Sequence, residues 1–275
     1  MLLRERHEPA RRRRLDGVLR PRVLWINPAG TEPVEPFAER IRGDVDVTLL
    51  GLRVWGLAPG DRYDMGVEVA AVAAAAGSGP VHLAGFSAGA TVALAAALTL
   101  GDSVRSVALL EPAFIGDDDW DPAETGWRAA IGSLRASGPP EQAEALRDML
   151  MAPGEMAPPP RRPVAWNHRD DLLGTMLSAH TGFASSDLVR IGAPVILVRG
   201  GRSAPRFGVV GRRLAEVCAD FREAVFPHLH HFAPPFREQP EQLAKLLLCF
   251  WLAATASASS AGGARSVPAW GGYRR

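Results

Sequence analysis

The sequence predicts an α/β fold: a mostly parallel sheet with helices on both faces. Three observations predict it. Short runs rich in Val, Leu and Ile recur along the chain, and segments with apolar residues at helical spacing separate them. Several runs are apolar on consecutive rather than alternate positions, the pattern of strands buried on both faces.

The expected strands are 22–27 (RVLWIN), 46–54 (DVTLLGLRV), 81–86 (VHLAGF), 104–111 (VRSVALLE), 194–200 (PVILVRG) and 222–227 (REAVFP). Helical spacing predicts helices over 34–42, 66–76, 88–100, 209–219 and 238–254, the last of them closing the fold. Residues 21–114 and 192–254 together form the expected core. Residues 115–191 break the strand–helix rhythm with helical patches, the proline-rich stretch APGEMAPPPRRP (152–163), and Trp120, Trp127, Trp166, Met149, Met151 and Met176. So long a structureless loop is rare in a compact domain, so this segment is expected to be a helical insertion forming a lid. Residues 1–20 are expected to be a basic arm carrying Arg11 to Arg14. Residues 255–275, rich in Ala, Ser and Gly, are expected to be a disordered tail.

With 275 residues the chain can bury one sizeable core. Its 47% hydrophobic and 22% charged residues are ordinary for a water-soluble domain, and a net charge of +1 offers no field for nucleic acid. A small-molecule partner is expected, with neither nucleic acid nor membrane, and nothing in the sequence addresses oligomeric state. No run is long enough to span a bilayer, and no apolar stretch follows the N-terminal basic cluster as a secretory signal requires. Cys218 and Cys249 lie in apolar helical patterns and are expected to be buried free thiols, which predicts a cytoplasmic setting. The His and Cys spacings suggest no zinc site, and no cofactor is expected.

The chemistry centres on Gly85-Phe86-Ser87-Ala88-Gly89, where a predicted strand meets a predicted helix. A serine becomes a nucleophile when it protrudes and a base takes its proton. A sharp strand-to-helix turn makes it protrude, and the residues two before and two after must lack side chains. The same turn puts the amide of Ala88 at a helix N-terminus, where it can hold a negative oxygen.

This stretch resembles the nucleophile elbow, Gly-x-Ser-x-Gly, of the α/β-hydrolase superfamily, in its serine-nucleophile, lid-bearing branch. The resemblance covers roughly residues 22–254 and implies the chain order Ser, acid, His. It therefore implies that Ser87 is the nucleophile. It implies a histidine in FPHLHHFAPPFREQPEQL (226–243), first His231, with His230 next and His228 also present. The family most often takes its acid from the loop after the strand PVILVRG, but here that loop, GRSAPRFGVV, has no carboxylate. Some relatives use the end of the preceding strand, which points to Glu111, with Asp117, Asp118 and Asp119 ranked second as more typical of a solvated face. The second oxyanion donor would come from Asn27-Pro28-Ala29-Gly30. Pro28 lacks an N–H, so Ala29 is the natural donor, with Asn27 bracing the loop. Phe86, Trp120 and Trp127 are candidate substrate contacts. His82 and His180 are expected to be structural, and Trp55 to pack the core. The first twenty residues depart from the family pattern, being too short and arginine-rich for its two leading antiparallel strands, so the sheet is expected to be truncated at one edge.

A serine at the elbow argues against dehalogenase or epoxide hydrolase chemistry, which needs a carboxylate there. The implied activity is hydrolysis of a carboxylic ester or related acyl substrate through an acyl-enzyme. The alternatives are a C–C hydrolase or acyltransferase of the same class, or a non-catalytic small-molecule-binding protein on the same scaffold.

Overall fold

The computed structural model describes residues 14–15, 18–28, 30–58, 61–134, 139–157, 175 and 179–260. Two short antiparallel strands open it, β1 (Arg14–Leu15) and β2 (Val18–Leu19), apart from the main sheet. The main sheet has six strands, all parallel: β3 (Arg22–Asn27), β4 (Asp46–Gly51), β5 (Val81–Phe86), β6 (Val104–Leu110), β7 (Val195–Gly200) and β8 (Phe221–Phe226). Their order across the sheet is β4-β3-β5-β6-β7-β8. The predicted strands therefore all form. β4 ends at Gly51 rather than 54, because Arg53–Gly56 turns into a 3-10 helix.

The helices are α1 (Glu35–Ile41), α2 (Met65–Ala76), α3 (Ala88–Leu100), α4 (Pro122–Leu134), α5 (Pro139–Met149), α6 (Arg206–Val217), the short α7 (Pro235–Glu238) and α8 (Pro240–Ser260). Residues alternate in direction along a strand, so each strand feeds both faces. In β3, Leu24 and Ile26 join the cluster built with α2, α3 and α6, whereas Val23 and Trp25 join the one built with α1 and α8. α3 is apolar all round and is buried from Ala88 to Ala97, as expected for a helix enclosed by sheet and neighbours.

Two expectations change. α8 continues to Ser260, into the stretch expected to be disordered; Ala and Ser residues there extend a helix already anchored upstream. Cys249 is exposed, because it lies on the outer side of α8, while Cys218 is buried and its thiol is pushed up to about 11 by desolvation. In the insertion, α4 and α5 form, but Trp166, Met176 and residues 158–163 of the proline-rich stretch lie outside the described residues, as do 1–13 of the basic arm and 261–275 of the tail. Among the described residues no helix is long and apolar enough to cross a membrane.

The chain leaves β3 toward α1 on one face and leaves β5 toward α3 on the other. The adjacent strands β3 and β5 thus make a crevice at their C-terminal ends, the place where sheets of this kind bind ligands.

Candidate active site

Ser87 stands in that crevice, between β5 and α3. Its φ of 53° and ψ of −124° fall where L-residues are strained. The turn is held from both sides: Ser87 N donates to Leu110 O of β6 at 2.9 Å, and Ala113 N donates to Ser87 O at 3.2 Å. A Cβ on Gly85 would strike the carbonyl of Gly89, and one on Gly89 would strike the carbonyl of Ile26 in β3. The two flanking glycines are there because helix and strand pack backbone to backbone. As the first residue of α3, Ala88 has an amide with no intrahelical acceptor.

Glu111 follows β6 directly and is buried at 4% exposure. Its φ of 45° makes it, with Ser87, one of the two non-glycine residues of positive φ among those described. Its Oε2 lies 2.8 Å from His231 Nδ1. Its Oε1 accepts from Gly200 N at 2.7 Å and from Ser203 Oγ at 2.5 Å. Where this carboxylate is ionised it can only accept, which puts the imidazole proton on Nδ1 and leaves Nε2 as the basic nitrogen.

His231 is 5% exposed, in the loop between β8 and α7. Its ring lies between two aromatic faces, Phe86 at 4.7 Å and Phe207 at 5.7 Å, with Phe232 meeting it edge-on at 5.4 Å. Since Phe86 immediately precedes Ser87, this stacking brings the imidazole beside the elbow. Among the described residues no hydrogen bond joins Ser87 Oγ to His231.

The other candidates separate cleanly. His230 is half-buried, its Nδ1 accepts from Phe232 N, and burial, with the charge of Arg202, lowers its pKa. His228 is exposed. The aspartates are not simply a solvated face. Asp117 accepts the amides of Thr181 and Gly182, each at 2.8 Å, and Asp118 accepts Ser185 N and Oγ at 2.6 and 2.7 Å. Burial would raise the pKa of Asp118, yet the two Ser185 hydrogen bonds hold it below the usual range. These carboxylates tie the end of the insertion to the loop after β6, while Asp119 is exposed.

Ala29 lies outside the described residues. Its neighbours are braced as expected: Asn27 Nδ2 donates to Gly30 O at 2.5 Å. Trp55 does more than pack the core, since its indole N–H donates to the Pro28 carbonyl and so fastens the same loop. Trp127 is half-buried beneath the Arg206 guanidinium at 4.5 Å, and it lines a cavity of about 390 Å³ with Met149, Met151 and Pro205. Trp120 packs against the core with Arg213 over its ring at 5.8 Å. A much smaller pocket of about 10 Å³ adjoins Ala88, between Leu52, Tyr63, Met65, Thr91 and Phe114. Its threonine hydroxyls are already engaged: Thr91 Oγ1 exchanges hydrogen bonds with the backbone of Phe114, and Thr181 Oγ1 donates to Phe183 O.

Sequence reasoning missed Ser203 and Arg206. Arg206 pairs twice with Glu124 of α4, at 2.9 and 2.7 Å, both side chains buried, and donates to Ala113 O at 2.9 Å. Ser203 lies in the loop GRSAPRFGVV, and nothing local in that loop marks its hydroxyl as the partner of a carboxylate 92 residues away.

The family described as the alpha/beta hydrolase family matches residues 20–246. The chain belongs to the alpha/beta hydrolase family. As an alpha/beta hydrolase it shares its fold with an esterase from Exiguobacterium antarcticum (20% identity, TM-score 0.60, covering 84% of this chain and 92% of that one). It shares it also with a carboxylesterase from Bacillus subtilis (15%, 0.58, 84% and 83%). A haloalkane dehalogenase loop variant from Bradyrhizobium elkanii is similar too (14%, 0.60, 88% and 92%). No curated protein matches the chain.

Proposed function

We propose that this alpha/beta hydrolase is a serine hydrolase of carboxylic esters or related acyl compounds, with Ser87 as nucleophile, His231 as base and Glu111 as acid. The observation that carries this reading is the 2.8 Å hydrogen bond from His231 Nδ1 to buried Glu111, on a ring stacked against the residue preceding a strained serine. The dehalogenase among the structural neighbours speaks for the scaffold only, because a serine cannot take the role of a carboxylate that forms an alkyl ester.

In the proposed cycle, Nε2 of His231 removes the proton from Ser87 Oγ as the oxygen attacks the acyl carbon. The tetrahedral oxyanion is held by the amide of Ala88 and by that of Ala29. The imidazolium, stabilised by Glu111, returns the proton to the leaving alcohol. Water then enters, gives a proton to Nε2, and attacks the acyl-enzyme to release the acid and restore Ser87. The Ser–His hydrogen bond is expected to tighten as substrate fills the crevice, since resting geometries in such sites are often loose.

The apolar side chains of Leu52, Met65 and Phe114 beside Ala88 are proposed to meet the acyl group. Trp127 and Phe86 are proposed to contact the remainder of the substrate beneath a lid formed by the insertion. No cofactor is needed by this chemistry, and two free thiols suit a reducing, cytoplasmic setting.

A fluorophosphonate probe tests the reading. Wild type should be labelled rapidly and Ser87→Ala not at all, and p-nitrophenyl esters of small or medium acyl chains should be hydrolysed only by the wild type. Equal labelling of both proteins, or none of either, would remove the hydrolase assignment.

A further inference from the structure

Glu111 holds His231 through one oxygen only; the other is occupied by Ser203 Oγ at 2.5 Å and Gly200 N at 2.7 Å. Ser203 is 5% exposed and Glu111 4%, so this hydroxyl does not exchange freely with water. A buried hydroxyl whose oxygen sits that close to a carboxylate donates to it, and hydrogen bonds to a charged group are the stronger kind.

The placement of Ser203 is itself held by the middle of the insertion. Met151 and Ser203 form an antiparallel bridge, Ala152 N donates to Arg202 O, and Ala204 N donates to Leu150 O, both at 3.0 Å. Arg202 and Glu155 add an ion pair on the outer side. The strap 150–155 thus delivers the hydroxyl to the acid.

We infer that Ser203 is a positioning residue: its hydroxyl fixes the rotamer of Glu111 and draws off part of the carboxylate charge, thereby setting how readily His231 takes a proton. The inference concerns the same acid–imidazole pair as the proposed function, but its geometric core holds whether or not Ser87 reacts. Other charges around the pair are arranged elsewhere. Arg206 is paired with Glu124 and Arg202 with Glu155, Arg237 donates to Phe232 O, Arg147 lies over the Phe232 ring, and His228, His230 and Glu238 complete the set on the loop and α7.

Removing the hydroxyl leaves Oε1 with the Gly200 amide alone. Negative charge then concentrates on the carboxylate and the imidazolium is better stabilised, so the pKa of His231 rises. NMR titration of the His231 ring in the folded, full-length protein reads this directly. Ser203→Ala should raise its midpoint by about half to one pH unit, while Ser203→Thr, which keeps the hydroxyl, should titrate like wild type. An unchanged midpoint in Ser203→Ala, or an equal shift in Ser203→Thr, would overturn the inference. If ester turnover depends on Ser87, the acid limb of its kcat/KM profile should move with the NMR midpoint. A midpoint that moves without any Ser87-dependent turnover would leave Ser203 in its role and remove the hydrolase reading instead.

Discussion

Glu111 sits at φ 45° although it carries a Cβ, a conformation that costs on the order of 1–3 kcal/mol and persists only where its surroundings enforce it. Here Glu111 N continues the sheet ladder to Val198 O at 3.1 Å, and its side chain has three partners, Gly200, Ser203 and His231. Glu111→Gln leaves the shape almost unchanged but offers His231 an amide in place of a charge. Its kcat/KM on a p-nitrophenyl ester should fall by roughly 10³- to 10⁴-fold with little change in Tm. Asp118→Asn, which weakens only the tie to Ser185, should lose less than about tenfold in activity and about 1–2 kcal/mol in stability. The reverse ranking would reassign the acid.

At the scale of elements, the elbow depends on β5 and α3 approaching each other without side chains between them. A methyl on Gly89 would enter the carbonyl of Ile26, which is backbone and cannot rotate aside. Gly89→Ala should therefore destabilise the fold by about 1–3 kcal/mol or more, measured by urea denaturation. Gly132, on an exposed position of α4, has nothing within 4 Å of the added carbon and no positive φ. Gly132→Ala should stabilise by about 0.5–1 kcal/mol. Identical substitutions of opposite sign would separate a glycine needed by packing from one that only loosens a helix.

Across the whole molecule, α8 closes one face of the sheet and is bound to it by a polar network as well as by Leu243, Leu247 and Trp251. His82 of β5 reaches Ser106 Oγ of β6 at 2.8 Å and Thr255 Oγ1 of α8 at 3.2 Å. Burial first, and the charge of Arg105 second, lower its pKa to about 4 from an unfolded value of 6.5. Below pH 6.5 the unfolded chain takes up a proton here that the folded one refuses, so stability falls as pH drops and the loss stops growing near pH 4. The contribution amounts to about 3 kcal/mol. Urea denaturation from pH 7 to pH 4 should show this loss in wild type. In His82→Gln, which can still bond to Ser106, the slope should be shallower.

The strands and helices were legible in the sequence because their causes are local. Consecutive apolar residues in VHLAGF and helical spacing in 88–100 specify buried elements whatever surrounds them, and both begin and end where expected. The elbow was legible because two glycines and a serine record a steric demand between neighbouring elements. Glu111 and His231 were picked out by the resemblance to the α/β-hydrolase superfamily, which implies an acid at the end of a strand and a histidine ahead of the last helix, and the fold brings the two side chains together. Ser203 was not legible. A serine in a loop has no local signature, and its partner is 92 residues away. The same holds for the roles of Asp117 and Asp118, for Trp55 as a loop fastener, and for the extension of α8 to Ser260. The sequence alone determined which segments are buried, since hydrophobic periodicity is a property of neighbouring residues. Only the tertiary structure decided which polar groups meet. A hydrogen bond depends on tenths of an ångström and on direction, and both are set by the packing of segments that lie far apart along the chain.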